Sequence, residues 1–180
     1  MSDESPTPTG IHAELASAFP DEVTGFAVTA DGQPITEVRP DGLFQVAAEL
    51  KRRGHRILSC LSAYNTKTEG SGVFYSFLKV VDRPEDFSDV RLRVPLEFPE
   101  DGHPQVQSLV DVFPAAGWHE REMYDMYGIR FEGHPDLRRM FLPEGWTGYP
   151  MRLGYNEPEQ FVAMRDGEDI VVSKEEEGAW

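Results

Sequence analysis

A single cysteine, Cys60, is all the thiol this sequence holds. One thiol forms no internal disulfide, and it cannot alone hold an iron–sulfur cluster, which takes about four ligands. A secreted disulfide scaffold is excluded. Cys60 sits among Ile57, Leu58 and Leu61, where it is expected to behave as a small buried hydrophobe rather than a nucleophile. Lysine is scarce too. Lys51, Lys67, Lys79 and Lys174 are the whole supply, so arginine carries most of the positive charge. Arginine suits fixed, bidentate contacts better than lysine does. Basic residues number 17 against 32 acidic, for a net charge of -15. Neutralising phosphate takes Lys and Arg, so nucleic-acid binding is a poor fit, as is direct docking on anionic lipid. The acidic balance suits a solvated surface or partners with basic patches.

Long apolar runs are missing as well. The most apolar stretch, 73–81, contains Lys79 and falls far short of the roughly 20 residues that span a bilayer. No direct membrane insertion is expected; any membrane association must go through other proteins. The opening residues Met1 to Pro6 show no basic region and no apolar core, so no signal peptide is expected. No G-x-S-x-G, G-x-G-x-x-G or Walker lysine occurs. His119-Glu120 begins like H-E-x-x-H, but Met123 stands where the second imidazole would fall. His103, His119 and His134 are widely separated. No zinc site and no cofactor site is expected on this chain.

What the sequence does have is enough apolar bulk, 39% with 11 Phe over 180 residues, for one domain with a core. Residues 1–10 are polar and rich in Pro and Thr, and are expected to be disordered. Ile11, Leu15, Ala18 and Phe19 follow helical spacing up to Pro20. Short strands are expected over 22–29 and 35–39, joined by the turn signal Asp31-Gly32. Asp41 reads as the N-cap of a helix carrying Leu43, Phe44, Ala47 and Leu50, closed by Gly54. Three strands follow over 56–63, 72–81 and 90–95, spaced for an antiparallel run, with 65–71 as a hairpin loop. In the middle strand Val73, Tyr75 and Phe77 share one face. Residues 11–128 therefore read as one α+β domain, with helices packed on a mixed or antiparallel sheet. From Pro95 onward proline recurs as far as Pro158, interrupted by a helix over about 115–127. Residues 129–180 are expected to form a long, irregular, extended tail. Such a segment is natural where it lies on a neighbour.

The late helix holds the densest chemistry. Glu120, Arg121, Glu122 and Asp125 fall among Trp118, Tyr124 and Tyr127. Trp118, Arg121, Glu122 and Asp125 follow i, i+3, i+4, i+7 spacing and share a face. Met123, Met126 and Tyr127 fall on another, and Gly128 is a stop signal. Three readings compete. The helix is a solvated surface with an Arg121–Asp125 pair, a carboxylate pair for acid–base catalysis, or a charge network between subunits. Catalysis needs a pocket and a nucleophile, and neither is evident.

The run Glu120-Arg121-Glu122-x-x-Asp125-Met126-Tyr127, then His134, then Arg138-Arg139-Met140, resembles the signature of the 30-kDa subunit family of respiratory complex I. That family supplies the C-type subunit of the bacterial NADH-quinone oxidoreductase and the J-type subunit of the plastid and cyanobacterial enzyme. Phe113 to Trp118 before the run fits the pattern, as do Gly128 to Leu137, Leu142 to Trp146 and Pro150-Met151-Arg152 after it. Phe141 departs from the aliphatic residue usual there, and Leu153-Gly154 stand where the family usually carries Lys-Asp. The resemblance implies a non-catalytic structural subunit in the hydrophilic arm of a proton-translocating enzyme. It implies no cofactor on this chain, with FMN, iron–sulfur clusters and quinone held by partners. Those partners are a D-type large subunit, a B-type cluster subunit and an I-type ferredoxin-like subunit, on the cytoplasmic side of the cell membrane. It implies that Glu120, Arg121, Glu122 and Asp125 are satisfied in an interface, that Trp118 and His134 belong to the same signature, and that Arg138, Arg139 and Arg152 clamp groups of a neighbour. A related subunit of an energy-converting hydrogenase or a ferredoxin-dependent enzyme is the alternative.

Overall fold

The computed structural model describes residues 10–29, 32–68, 70–80, 87–99, 102–143, 145–165 and 167–173. The expected disorder of residues 1–9, Asp31 of the first turn signal, Glu144 of the matched run and the last seven residues lie outside them. A five-stranded sheet has the order β1-β2-β5-β4-β3. β1 is Val23–Val28, β2 Pro34–Val38, β3 His55–Thr66, β4 Gly70–Lys79 and β5 Asp89–Pro95. Neighbours are antiparallel except β2 and β5, which run parallel. The sheet is therefore mixed, as the spacing allows.

Register explains the core. Across β3, β4 and β5, Leu61 pairs with Tyr75 and Tyr75 with Leu92; Leu58 pairs with Phe77 and Phe77 with Val90; Ala63 pairs with Val73 and Val73 with Val94. Paired residues share a face, so this apolar row forms one buried surface. Val73, Tyr75, Phe77, Val90, Leu92 and Val94 are all 0% exposed. Helix α1 (Ile11–Ala18) and helix α2 (Leu43–Arg52) contribute Leu15, Leu43, Val46, Ala47 and Leu50 to the same core. Arg53 binds both Glu49 and Glu14, tying the end of α2 to α1.

Four local readings are corrected. Asp41 does not cap α2. Pro40 starts a short 3-10 turn over Pro40–Gly42, Gly42 takes the cap position, and Asp41 turns to Arg39 at 2.9 Å. Proline fixes φ in the helical range and so begins the turn early. The hairpin loop is shorter than 65–71, because ladder pairing runs out to Thr66 and Gly70. Cys60 is only half-buried: a register shift between Leu58 and Cys60 pairs it with Ser76 on the polar face of the sheet. Burial and the Asp89 and Glu122 carboxylates still raise its thiol pKa, so it remains a poor nucleophile.

The fourth correction concerns the region after Pro95. β6 (Gln105–Gln107), helix α3 (Ala116–Tyr127) and β7 (Arg130–Glu132) make a small β-α-β unit whose strands are parallel. Val106 and Phe131 pair across it, both buried. The expected boundary after Gly128 thus falls inside packed structure. The tail is irregular from Gly133 to about Glu159, but β8 (Gln160–Arg165) and β9 (Glu168–Ser173) form an antiparallel hairpin beyond it. The β6–β7 pair was hidden because three-residue strands have no measurable periodicity.

Candidate functional site: a charged helix clasped to the chain that follows it

α3 buries Ala116, Glu120, Met123 and Asp125. Two of these are carboxylates at 0% exposure, and buried carboxylates need partners. Glu120 accepts from the Ser108 hydroxyl at 2.6 Å and from the Leu109 N–H at 2.7 Å. It thereby holds the loop after β6 against the helix. Burial raises its pKa, against the pull of those two bonds and of His134. The Tyr75 hydroxyl is buried close by and has no partner among the described residues; burial and the Glu120 charge raise its pKa well above the ordinary value.

Asp125 has the opposite balance. Burial pushes its pKa up, but bonds from Leu142, Met140, Arg139 and Phe141 outweigh it, and the net shift is downward. Oδ2 accepts the consecutive N–H groups of Met140, Phe141 and Leu142 at 2.9, 2.7 and 3.0 Å. Oδ1 accepts from the Arg139 guanidinium at 2.7 Å. One carboxylate thus nucleates the turn of chain that follows β7.

Arginines satisfy the remaining backbone. Arg139 also donates to the carbonyls of Trp146 and Gly148. Arg121 donates to the carbonyls of Arg138 and Arg139, both at 3.2 Å. Arg152 donates to the carbonyls of Tyr127, Gly102 and Pro99. Tyr149 lies at the centre, with the Arg139 and Arg152 guanidiniums over its ring at 5.1 and 4.9 Å. Its ring also covers Gly128, the left-handed residue that ends α3 at φ 69°; a methyl there would meet Tyr149 at 2.5 Å. His134 donates from Nε2 to the Gly117 carbonyl and accepts at Nδ1 from the Asp136 N–H.

The signature residues therefore divide. Glu120, Asp125, His134, Arg139 and Arg152 point into the chain itself. The Arg121–Asp125 pair of the solvated-surface reading is replaced by Asp125–Arg139, and Arg139 and Arg152 hold groups of this chain. The single helical stripe also breaks: Trp118 is 66% exposed and Asp125 fully buried. Helical spacing fixes direction, but the returning segment covers Asp125 and leaves Trp118 exposed. Arg138 pairs with Asp136 in solvent, and the guanidinium of Arg121 stacks over Trp118 at 5.3 Å. Glu122 has no hydrogen bond or ion pair among the described residues. Sequence reasoning missed Ser108, Leu109 and Tyr149, and weighed His103 only as a metal ligand, whereas its Nδ1 lies 2.7 Å from the Gly128 carbonyl. Gly128, read as a helix stop, was the only signal near Tyr149. No cluster of three potential metal ligands occurs among the described residues, and no described helix is long and apolar enough to cross a membrane.

Fold and site together define a mixed-sheet α+β domain with an appended β-α-β unit, whose charged helix is clasped by the irregular chain that follows. The family described as "Respiratory-chain NADH dehydrogenase, 30 Kd subunit" matches residues 36–160, and the chain belongs to it. Proteins called NAD(P)H-quinone oxidoreductase subunit J are similar. That of Prochlorococcus marinus (strain NATL1A) is 34% identical, over 75% of this chain and 78% of its own length. That of Synechococcus sp. (strain WH7803) is 39% identical, over 73% and 75%. The solved trypsin-resistant fragment of Nqo5 has a TM-score of 0.56 at 26% identity, covering 69% of this chain and 96% of that one. A chain of the archaeal membrane-bound sulfane sulfur reductase shares the fold alone, at 18% identity and a TM-score of 0.59 over 73% of this chain and 74% of that one.

Proposed function

We propose that this chain is a structural subunit of a proton-translocating NADH:quinone oxidoreductase, placed in the hydrophilic arm on the cytoplasmic side of the membrane. The NAD(P)H-quinone oxidoreductase names of its relatives support this reading. On this reading the chain does no chemistry. FMN, iron–sulfur clusters and quinone belong to partners of the D, B and I types. Electron transfer between such centres needs fixed distances, and a rigid interface supplies them.

One observation carries the structural role. The signature charges fix an irregular segment whose large apolar side chains face outward. Phe141, Met151 and Leu153 are 63, 54 and 53% exposed, and Trp118 adds a fourth. An immobilised loop with exposed aromatic and aliphatic side chains is a binding surface whose ordering cost is met before association. The outward residues Trp118, Glu122, Arg138 and Phe141 are then the partner-facing half of the signature. The 133–159 segment, held against α3, presents this surface to a large neighbouring subunit.

Affinity purification through a tag on this chain tests the proposal. Flavin, iron–sulfur clusters and membrane subunits should co-purify. A lone monomer with its own turnover would contradict it. A nickel-bearing large subunit in place of an NADH-binding module would assign the chain to the hydrogenase relative.

A further inference from the structure

We infer that the groove beneath the 148–155 turn seats an acidic side chain of a partner polypeptide, with Arg152 as its cation. This deepens the subunit reading by giving one partner contact its chemistry. The concavity is about 670 Å³ and is lined by Asn65, Phe98, His103, Tyr149, Arg152 and Leu153 among others.

Arg152, like Arg121, reaches no carboxylate among the described residues. Arg39, Arg52, Arg53, Arg91, Arg93, Arg138 and Arg139 all reach a carboxylate. Among the described residues Arg152 hydrogen-bonds only to carbonyl oxygens and stacks on the Phe98 and Tyr149 rings, and no Asp or Glu is among the described lining residues. That is a notable gap in a chain with 32 acidic residues. A guanidinium carries five N–H groups, and three are directed at carbonyls, so two remain. Burial lowers its pKa, against an opposing pull from Tyr149. A part-buried cation held only by neutral acceptors gains from a carboxylate, because charge-assisted hydrogen bonds are the stronger ones.

The rest of the groove suits the side chain bearing that carboxylate. Asn65 gives its carbonyl oxygen to the Leu153 N–H at 2.6 Å, leaving its amide N–H groups for an acceptor. Phe98, with Arg152 stacked on it at 5.5 Å, and the exposed side chain of Leu153 form apolar walls for a methylene stem. Met151 extends the apolar surface beyond the rim, which favours a polypeptide over a free small acid.

The test is a titration of the full-length 15N-labelled protein with the peptide acetyl-Leu-Glu-Leu-amide, against its Gln analogue. The Glu peptide should shift the Asn65 side-chain amide and the amides of Gly102, Leu153 and Gly154. It should bind about tenfold more tightly than the Gln peptide. Leu153→Glu puts a carboxylate on the exposed rim and should weaken Glu-peptide binding about tenfold, while Leu153→Gln changes it less than about twofold. Glu100 and Asp101 separate Pro99 from Gly102 in sequence, so the Glu100→Gln/Asp101→Asn variant is the control. Binding within about twofold of wild type supports a partner's acid. A tenfold rise would assign Arg152 to the chain's own acids and overturn the proposal. Equal affinity for both peptides, no binding of either, or shifts confined elsewhere would also overturn it. Failure here leaves co-purification untouched, and failed co-purification leaves this binding untouched.

Discussion

The two halves of this molecule satisfy their backbone in different ways. In the five-stranded sheet, N–H and C=O groups meet each other in ladders, and an apolar core holds the layers together. In the segment from Gly133 to Glu159, regular pairing is absent from the described residues, and side chains of α3 and three arginines take its place. Every buried backbone group needs a partner, and the second half recruits carboxylates and guanidiniums for the purpose. Charge clusters here because the returning chain has little ladder pairing to satisfy its backbone. Asp125, Arg121, Arg139 and Arg152 act as movable pieces of secondary structure, ordering a chain too rich in Pro and Gly to order itself.

The halves should therefore fail differently. Phe77→Ala empties a fully buried site and should destabilise the whole domain by about 3–5 kcal/mol, read as a single shifted urea transition. Asp125→Ala leaves Arg139 and three N–H groups without their acceptor. Breaking such a buried pair costs about 3–5 kcal/mol locally, but the sheet should survive. Limited proteolysis should then cut between Gly133 and Glu159 while a folded fragment bearing β1 to β5 persists. Loss of both halves together would break the comparison.

Gly128→Ala is the next largest. A left-handed φ costs a non-glycine residue about 1–2 kcal/mol, and the new methyl also drives into Tyr149. Cleavage of the same segment should rise, less than for Asp125→Ala.

Acid sharpens the contrast between the two buried carboxylates. The folded-state pKa of Asp125 is depressed, so its contribution is present above the unfolded value of about 3.9 and is lost as pH falls through the lower folded value. The pKa of Glu120 is raised, so its contribution is fully present below about 4.3 and is lost as pH rises through the higher folded value. In urea titrations, Asp125→Asn should therefore cost most near neutrality and progressively less in acid. Glu120→Gln should show the reverse trend. Parallel pH profiles for the two variants would contradict the assignment. The smallest effect belongs to Tyr75→Phe. Removing an unpaired buried hydroxyl should leave stability unchanged or raise it by up to about 1 kcal/mol.

Much of the first half was legible in the sequence. Alternation in Val73, Tyr75 and Phe77 marked the core face, and the helical spacing of Leu43, Ala47 and Leu50 marked α2. Those signals are local, and local periodicity is what a sequence displays. The second half was legible as chemistry but not as geometry. The charged residues and the resemblance they carry stood out at once. That Asp125 would bind Arg139 and the N–H groups of residues 140–142 depends on how the chain returns, and spacing holds no record of that. Nor does spacing show that Arg139 and Arg152 also hold carbonyl groups of this chain.

The most direct measurement is amide hydrogen exchange at Met140, Phe141 and Leu142, in wild type and in Asp125→Asn. The clasp predicts slow exchange at all three in wild type and fast exchange in the variant, with the amides of β4 and β5 unchanged. Fast exchange in wild type, or protection that survives the substitution, would contradict it.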